Sequence, residues 1–264
     1  MKNIFVEGVP GSGKSTLIKQ LAELLPEYNV CYEGDASPVE LAWCACMTKA
    51  QFEEAKARYP QYAQAMDAKT QAWEEYIVLP YTKIEGADGS FCADMEQYEI
   101  YGGRRSTEEF RSIVLKRFET FKGKGSLLDC SFFQNIMDEL LLFQCCTVRE
   151  VVDFYREILA RCDMDALRVV RLVPRDLAAS LKFVRAERVD DDGMPVWAQG
   201  VTQYMAASPY GKAHEIRKFD DVIEYYAHRT EVEKAVFAIM PAGTYMDVIS
   251  REYAAVVLKA LLTI

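Results

Sequence analysis

Short runs of consecutive apolar residues alternate along this chain with longer stretches in which apolar residues recur every three or four positions. The first run, Ile-Phe-Val at residues 4–6, is β-prone and predicts a buried strand over residues 2–7. From Leu17 onward the apolar residues share one face of a predicted helix, which Pro26 ends. A strand followed by a helix at this short spacing is the unit from which α/β folds are built.

Similar runs predict further strands. They cover residues 29–35, 125–131, 167–173 and 245–248. Pro174 opens a predicted helix after the fourth strand. The chain ends in a predicted amphipathic helix whose apolar side is formed by Tyr253, Val256, Val257, Leu261 and Leu262. We therefore expect about five parallel strands with helices on both faces.

A long segment, residues 37–122, separates the second predicted strand from the third. Helical spacing predicts three helical pieces, at residues 39–47, 50–76 and 107–121. In an enzyme built on a parallel sheet, an insertion between these two strands is expected to form a substrate-binding pocket. Arg104 and Arg105 could hold a phosphate there, but pairing with the nearby Glu108 and Glu109 is the preferred interpretation. A neutral, hydroxyl-bearing substrate is therefore slightly favoured.

Composition narrows the class of protein. The chain has 264 residues, is 50% hydrophobic and carries a formal net charge of −9, which argues against a nucleic-acid partner. Eight cysteines without a C-x-x-C pair, and only two histidines, argue against a zinc site and favour reduced thiols in the cytoplasm. The start of the chain does not resemble a signal peptide, and no apolar run approaches the roughly 18 residues of a membrane span.

The sequence GVPGSGKST follows the first predicted strand and leads into the first helix, the context in which G-x-x-x-x-G-K-[ST] binds phosphate. Glycines let the backbone turn and direct its N–H groups at a polyphosphate, and the helix start adds positive potential. Lys14 is predicted to reach the β- and γ-phosphates, and Ser15 to ligate Mg²⁺. The predicted ATP-binding residues are Gly8, Pro10, Gly11, Ser12, Gly13, Lys14, Ser15 and Thr16.

Several classes of nucleotide-binding protein lack support. There is no N-K-x-D guanine motif, no L-S-G-G-Q transporter signature and no apolar strand ending in Asp-Glu, as many ATPases have. These absences favour a small-molecule kinase.

Acidic residues follow two predicted strands. Glu33 and Asp35 end the second strand, and Asp129 ends the third. Because ligands gather at the carboxyl ends of parallel strands, these acids are expected to converge on the glycine loop. One carboxylate, assigned to Asp129, would bind Mg²⁺, and another would accept the proton of the attacking hydroxyl. Capping of a following helix is the alternative role, especially for Asp35.

The helix predicted after Pro174 carries Arg185 and Arg188 three positions apart, hence on one face. Such a cationic face suits a lid, over about residues 174–210, that closes on a triphosphate and neutralises developing charge. A solvated surface helix is the alternative.

Taken in order, these features resemble the nucleoside and nucleotide monophosphate kinases, most nearly the deoxynucleoside kinase and thymidylate kinase branch. The resemblance also rests on the V-P-R-D strand end at residues 173–176. It implies that Glu33 or Asp35 is the general base. The segments EGDASPVELAW, LPYTKI and DCSFFQN also resemble a group of bacterial P-loop proteins, which indicates no substrate.

Two positions depart from the kinase pattern. The family motif D/E-R-[ST] falls on Asp129-Cys130-Ser131, where a cysteine replaces the arginine that helps to bind phosphate or substrate. The R-x-R lid motif appears as Arg185-x-x-Arg188, an imperfect match.

The sequence thus predicts one domain over residues 1–264 with a three-layer P-loop fold and a helical insertion on the acceptor side. The predicted activity is transfer of the γ-phosphate of ATP, with Mg²⁺, to a hydroxyl of a nucleoside-like or nucleotide-like acceptor. The alternatives are a slow ATPase that acts as a switch, and a kinase of another acceptor such as an antibiotic. A small-molecule partner, no nucleic acid and no membrane are expected, and a homodimer is compatible with the sequence.

Overall fold

The computed structural model describes residues 1–263. It divides into two compact units, which we call the loop unit (residues 1–30 and the chain from Lys122 onward) and the middle unit (residues 31–121). The strands are β1 (Asn3–Gly8), β2 (Asn29–Cys31), β3 (Ala45–Thr48), β4 (Gln71–Trp73), β5 (Tyr76–Leu79), β6 (Ser126–Asp129), β7 (Leu167–Val173) and β8 (Tyr245–Ile249).

The helices follow the same chain order. They are α1 (Lys14–Leu24), α2 (Lys49–Arg58), α3 (Ala63–Lys69), α4 (Gly89–Glu96), α5 (Thr107–Thr120), α6 (Gln134–Asp138), α7 (Val148–Leu159), α8 (Leu177–Glu187), α9 (Val196–Ala207), α10 (Pro209–Ala213), α11 (Phe219–Phe237) and α12 (Ala255–Thr263). A π-helical turn, Glu139–Phe143, extends α6. No helix among residues 1–263 is both long enough and apolar enough to cross a bilayer.

The predicted α/β fold is confirmed, with a five-stranded parallel sheet flanked by helices. The strand order is β2-β6-β1-β7-β8, so β1 lies in the centre between β6 and β7. Every residue of β1 is buried, as expected for a central strand covered on both sides. The glycine loop therefore starts from the buried central strand of the sheet.

The middle unit contains a sheet that the sequence pattern did not predict. Strands β3, β5 and β4 pair antiparallel in that order. The helix predicted over 39–47 is wrong, and the one predicted over 50–76 is divided into α2, α3 and β4, whereas α5 confirms the piece at 107–121. The apolar residues of β3 are buried against β5, and pairing between distant segments overrides local helical spacing.

Two details of the predicted helices also change. The lid helix α8 begins at Leu177 rather than Pro174, because the Asp176 side chain accepts the backbone N–H of Ala179 and caps the helix there. Strand β8 agrees with prediction, but α12 buries Leu258 and Leu262. The predicted apolar side is wrong for three of its residues, which are more than half exposed: Val256, Val257 and Leu261.

Candidate functional site

The glycine loop connects the carboxyl end of β1 to the start of α1 in a conformation that needs glycine. The φ angles of Gly8, Gly11 and Gly13 are 146°, 74° and 95°, a range that other residues rarely adopt. A Cβ on Gly11 would lie 2.0 Å from Cγ2 of Val184, and one on Gly8 would lie 2.7 Å from the Leu172 carbonyl oxygen. The loop is thus packed closely against β7 and α8.

The Lys14 side chain lies beneath this loop and is only 9% exposed. Its Nζ donates to the carbonyl oxygen of Gly8 at 2.9 Å and to that of Val9 at 3.3 Å. The hydroxyl of Ser12 is buried and has no hydrogen-bond partner among residues 1–263. Because buried polar atoms are nearly always paired, the orphaned hydroxyl fits a loop that receives a polar ligand such as a phosphate group.

The segment after β8 holds the outer side of the loop. Ser250 Oγ donates to the Ser12 carbonyl oxygen at 2.6 Å, and an Nη of Arg251 donates to the Gly11 carbonyl oxygen at 3.2 Å. Both carbonyls are thereby engaged by donors instead of facing an anion. The sequence pattern missed these two residues, since an ordinary loop after the last strand carries no signal of which backbone it will bind.

The predicted metal ligands come together. Val6 of β1 lies opposite Asp129 of β6, and the Ser15 hydroxyl donates to Oδ2 of Asp129 at 3.4 Å. Hydroxyl and carboxylate oxygens are ligands of Mg²⁺ in proteins, so Ser15 and Asp129 could together hold Mg²⁺ beside the loop. Cys130, which follows with a φ of 54°, donates from Sγ to the other carboxylate oxygen at 3.3 Å. Within the described residues no group of three His, Cys, Asp or Glu side chains forms a metal cluster.

Glu7, the last side chain before the loop, is a buried acid that the sequence pattern did not predict to be part of the site. One carboxylate oxygen accepts the N–H of Phe132 at 2.6 Å, and the other accepts that of Gln134 at 3.3 Å. Burial raises the pKa of Glu7 to about 7, against the effect of these hydrogen bonds; Glu233 raises it further and Lys14 lowers it. The Glu7 carboxylate thus connects β1 to the turn after Asp129. In the sequence, the only sign of this role is an acidic residue at the end of an otherwise apolar strand.

A network of buried charges lies behind the loop. Arg171 on β7 binds Glu233 at 3.0 Å and makes two bonds of 2.8 Å to Asp247. Arg229 on α11 binds the same Glu233 at 3.0 Å and Asp138 at 3.0 and 3.1 Å. Both guanidiniums are 2% exposed or less. Burial by itself would lower the pKa values of the two arginines, but the neighbouring carboxylates outweigh it and raise them above the ordinary range. The network joins β7, β8, α11 and the end of α6.

The lid arginines lie in the loop unit but point to aromatic rings. Arg185 lies 5.5 Å from the ring centroid of Phe219, and Arg188 lies 5.3 Å from that of Trp197. Both arginines are exposed. The part of α8 that meets the glycine loop is Val184, so the roles of Arg185 and Arg188 remain predictions.

The two candidate bases belong to the middle unit. Asp35 accepts the N–H of Tyr32 at 2.8 Å and pairs with Nζ of Lys83 at 3.2 Å, which is the geometry of a turn-stabilising acid. Glu33 lies near enough to Glu40 to raise its pKa. The assignment of either acid as the proton acceptor remains a prediction.

A family model for the core domain of viral superfamily 1 RNA helicases matches residues 4–62, less than a quarter of the chain. The match includes β1, the glycine loop and α1. No curated protein matches the chain. Together, the loop between a central parallel strand and a helix, the sheet and this match decide the fold. This is a P-loop NTPase fold. The matched segment supports nucleotide binding as the general function of the protein.

Proposed function

We propose that this protein is a Mg²⁺-ATP-dependent kinase that phosphorylates a hydroxyl of a small nucleoside-like or nucleotide-like molecule. The observation that carries the proposal is the contact of Ser15 with Asp129, made where two adjacent parallel strands end beside the buried Lys14. A phosphate loop, a lysine and a hydroxyl–carboxylate pair are the parts that phosphoryl transfer requires on the donor side.

In this proposal the loop N–H groups and Lys14 hold the β- and γ-phosphates. Ser15 and Asp129 hold Mg²⁺, which supplies charge neutralisation when bound. The acceptor hydroxyl oxygen forms a bond to the γ-phosphorus while the bond from that phosphorus to the bridging oxygen of ADP breaks. The hydroxyl proton passes to a carboxylate, assigned to Glu33 or Asp35. Arg185 and Arg188 neutralise the charge that develops, after the lid changes conformation.

Two features favour a kinase over an RNA-unwinding enzyme. The strand ending at Asp129 continues with Cys130 and Ser131, not with the glutamate that follows the aspartate in many ATPases. The net charge of −9 supports a small acceptor over a nucleic acid, since nucleic-acid binding relies on basic surface.

A slow nucleotide hydrolase that acts as a switch is the second candidate function. The match to a helicase core favours it, because that family belongs to the P-loop NTPases. In this case water takes the place of the acceptor hydroxyl, and added acceptors leave the rate of ADP production unchanged.

The test is to measure ADP release with ATP and Mg²⁺ while candidate nucleosides, nucleotides and aminoglycosides are added singly, and to identify a phosphorylated product by mass spectrometry. We expect one class of acceptor to raise ADP release and gain one phosphate. The Lys14→Ala variant should stay folded by circular dichroism and lose this turnover; undiminished turnover in Lys14→Ala would contradict the proposal. ADP release that no acceptor changes would favour the switch.

A further inference from the structure

The middle unit contains a buried guanidinium without a carboxylate partner. Arg117 on α5 is 4% exposed, donates from one Nη to the Ser37 carbonyl oxygen, and stacks with Cζ at 4.9 Å from the Trp73 ring centroid. Its Nε has no hydrogen-bond partner, and no carboxylate among residues 1–263 forms an ion pair with it. Burying an unpaired cation costs several kcal/mol, so an arginine in this setting calls for an anion.

Further unpaired donors belong to the same unit. Six buried side-chain atoms in residues 1–263 lack a hydrogen-bond partner, and four of them are in the middle unit: Nε1 of Trp73, the hydroxyl of Tyr101, Nε of Arg105 and Nε of Arg117. All four can donate a hydrogen bond. A fifth, the hydroxyl of Ser12, belongs to the phosphate loop. Unpaired buried donors, of which the glycine loop has one, are therefore more numerous in the middle unit.

Two contacts place these arginines: Arg105 donates from an Nη to the Cys46 carbonyl oxygen of β3 at 2.7 Å, and Arg117 stacks on Trp73 of β4. Arg105 and Arg117 both lower the pKa of Cys46, which burial raises to about 11. Arg117 likewise opposes the rise in the pKa of Tyr101, which burial and both the charge and the hydrogen-bonding capacity of Glu40 produce. The Tyr101 hydroxyl thus lies within reach of the Glu40 carboxyl, although the two do not meet in hydrogen-bonding geometry. Arg105 is already paired with Glu109 at 2.8 Å. Arg117 has no such carboxylate among residues 1–263.

Glu40, an acid close to this cluster, forms no ion pair with Arg117 among the described residues, although its charge raises the pKa of that guanidinium. Burial raises the pKa of Glu40 to about 8, against the hydrogen bond that its carboxylate accepts from the N–H of Ala42 at 2.6 Å. Burial thus favours the neutral form of the Glu40 carboxyl. Burial also lowers the pKa of Arg117, but from so high a starting value that the guanidinium keeps its charge.

We propose that Arg117, Tyr101 and Trp73 form an oxyanion-binding site for the phosphate or carboxylate group of a small ligand. Trp73 is partly exposed, so the site reaches the surface of the unit at this residue. If the proposed kinase function holds, this ligand is the acceptor; that identification rests on the kinase proposal, whereas the anion site does not. The acceptor would then be an anionic molecule, such as a nucleoside monophosphate or a hydroxy acid, in place of the neutral acceptor that the sequence favoured.

The experiment is a thermal-shift titration with inorganic phosphate and, separately, acetate, each against sodium chloride at equal ionic strength. Because phosphate also suits the glycine loop, the titration is done in the Lys14→Ala background. We expect one of the two anions to raise the melting temperature of Lys14→Ala by about 5 °C at 100 times its Kd, by linkage. The anion that does so distinguishes a phosphate-bearing ligand from a carboxylate-bearing one.

Two variants locate the effect. Adding Arg117→Met should abolish the shift, while adding Arg58→Met, which removes an exposed arginine of the same unit, should leave it unchanged. Tyr101→Phe removes only the unpaired hydroxyl, so it should keep the fold and weaken the anion about tenfold, and it serves if Arg117→Met does not fold. No shift with either anion, or a shift that neither Arg117→Met nor Tyr101→Phe reduces, would overturn the site.

The outcome is independent of the kinase proposal. ATP binding to the otherwise wild-type Arg117→Met variant should be unchanged. If the wild-type protein fails to bind ATP but the anion shift persists, the kinase proposal fails and the anion site stands. If ATP binds normally and no shift is seen, the anion site fails and the kinase proposal is unaffected.

Discussion

The two units treat their buried arginines in opposite ways. In the loop unit Arg171 and Arg229 share Glu233, and each has a further carboxylate. In the middle unit Arg117 is buried almost as deeply, yet among residues 1–263 it donates only to the Ser37 carbonyl oxygen and otherwise stacks on the face of Trp73. A buried cation with its carboxylates in place is part of the framework. One without them is better explained by a ligand that completes it.

The difference fits the work proposed for each unit. The paired arginines join four elements behind the glycine loop (β7, β8, α11 and the end of α6), so the backbone proposed to hold a triphosphate is fixed before the nucleotide arrives. The donors around Arg117 are incomplete in the protein alone, which is what a binding site for a second, exchangeable ligand requires. Removing a cation should therefore have opposite consequences for stability in the two units.

The largest expected effect is on Arg229. Arg229→Met leaves Glu233 short of one partner and Asp138 without its cation, so the free energy of unfolding should fall by about 3–5 kcal/mol. Arg117→Met replaces an unpaired cation by an apolar side chain. The free energy of unfolding should therefore change by less than about 1 kcal/mol, or rise. Urea unfolding monitored by circular dichroism measures both. Equal losses in the two variants would remove the distinction on which the anion site depends.

Glu7 provides the next test. Its folded pKa of about 7 exceeds the unfolded value of 4.5, so the stability it contributes is complete below about pH 4.5 and is lost as the pH rises through 7. Over that window the wild type should lose about 3 kcal/mol relative to Glu7→Gln, as 1.4 kcal/mol per pKa unit predicts. Melting curves of both proteins at intervals from pH 4.5 to 8 give the difference. The contributions of the other buried acids are the same in both proteins and cancel in the stability difference. A stability difference that does not vary with pH would contradict the raised pKa of Glu7.

Glu40 provides a further test of the anion site, with a smaller expected effect. Because its pKa is about 8, raising the pH through that value should ionise Glu40 and supply Arg117 with an internal counter-charge; Glu33, Glu99 and Tyr101 also face Glu40. Affinity for the bound anion should then drop about tenfold between pH 7 and pH 9. In Glu40→Gln the affinity should stay level over the same range. The thermal-shift titration in the Lys14→Ala background reports both, and parallel pH profiles would contradict the coupling.

The smallest effect concerns the support of the glycine loop. Ser250→Ala removes the donor to the Ser12 carbonyl oxygen and should lower stability by about 1 kcal/mol. ATP affinity should fall a few-fold, since that carbonyl is no longer held away from the nucleotide. Phosphate binding in the middle unit should not change. A Ser250→Ala protein that binds ATP as tightly as wild type would show that the segment after β8 merely contacts the loop.

How far the sequence predicts each feature depends on how local its cause is. The glycine loop and Asp129 were found because glycine spacing and a strand end are local signals, and parallel pairing of β1 and β6 then brings Asp129 to Ser15. The sheet of the middle unit was missed because β3 and β5 pair across about 30 residues, and nothing local in β3 announces its partner.

The same reasoning explains the missed arginine. Arg117 occupies an ordinary position in a helix that was correctly predicted, and only tertiary packing turns it inward. The neighbouring Arg105 illustrates the opposite case, because its pairing with Glu109 four residues later was predicted from spacing alone and agrees with the structure. Local ion pairs can be predicted from the sequence, whereas an unpaired buried cation appears only in the folded chain.

The central claim is that the glycine loop with Lys14 binds a nucleoside triphosphate. Isothermal titration calorimetry with a non-hydrolysable ATP analogue and Mg²⁺ tests it most directly, using the wild type and Lys14→Ala in parallel. We expect saturable heat at one site per chain in the wild type and binding about 100-fold weaker in Lys14→Ala. No heat in the wild type, or equal affinity in the two proteins, would contradict the account.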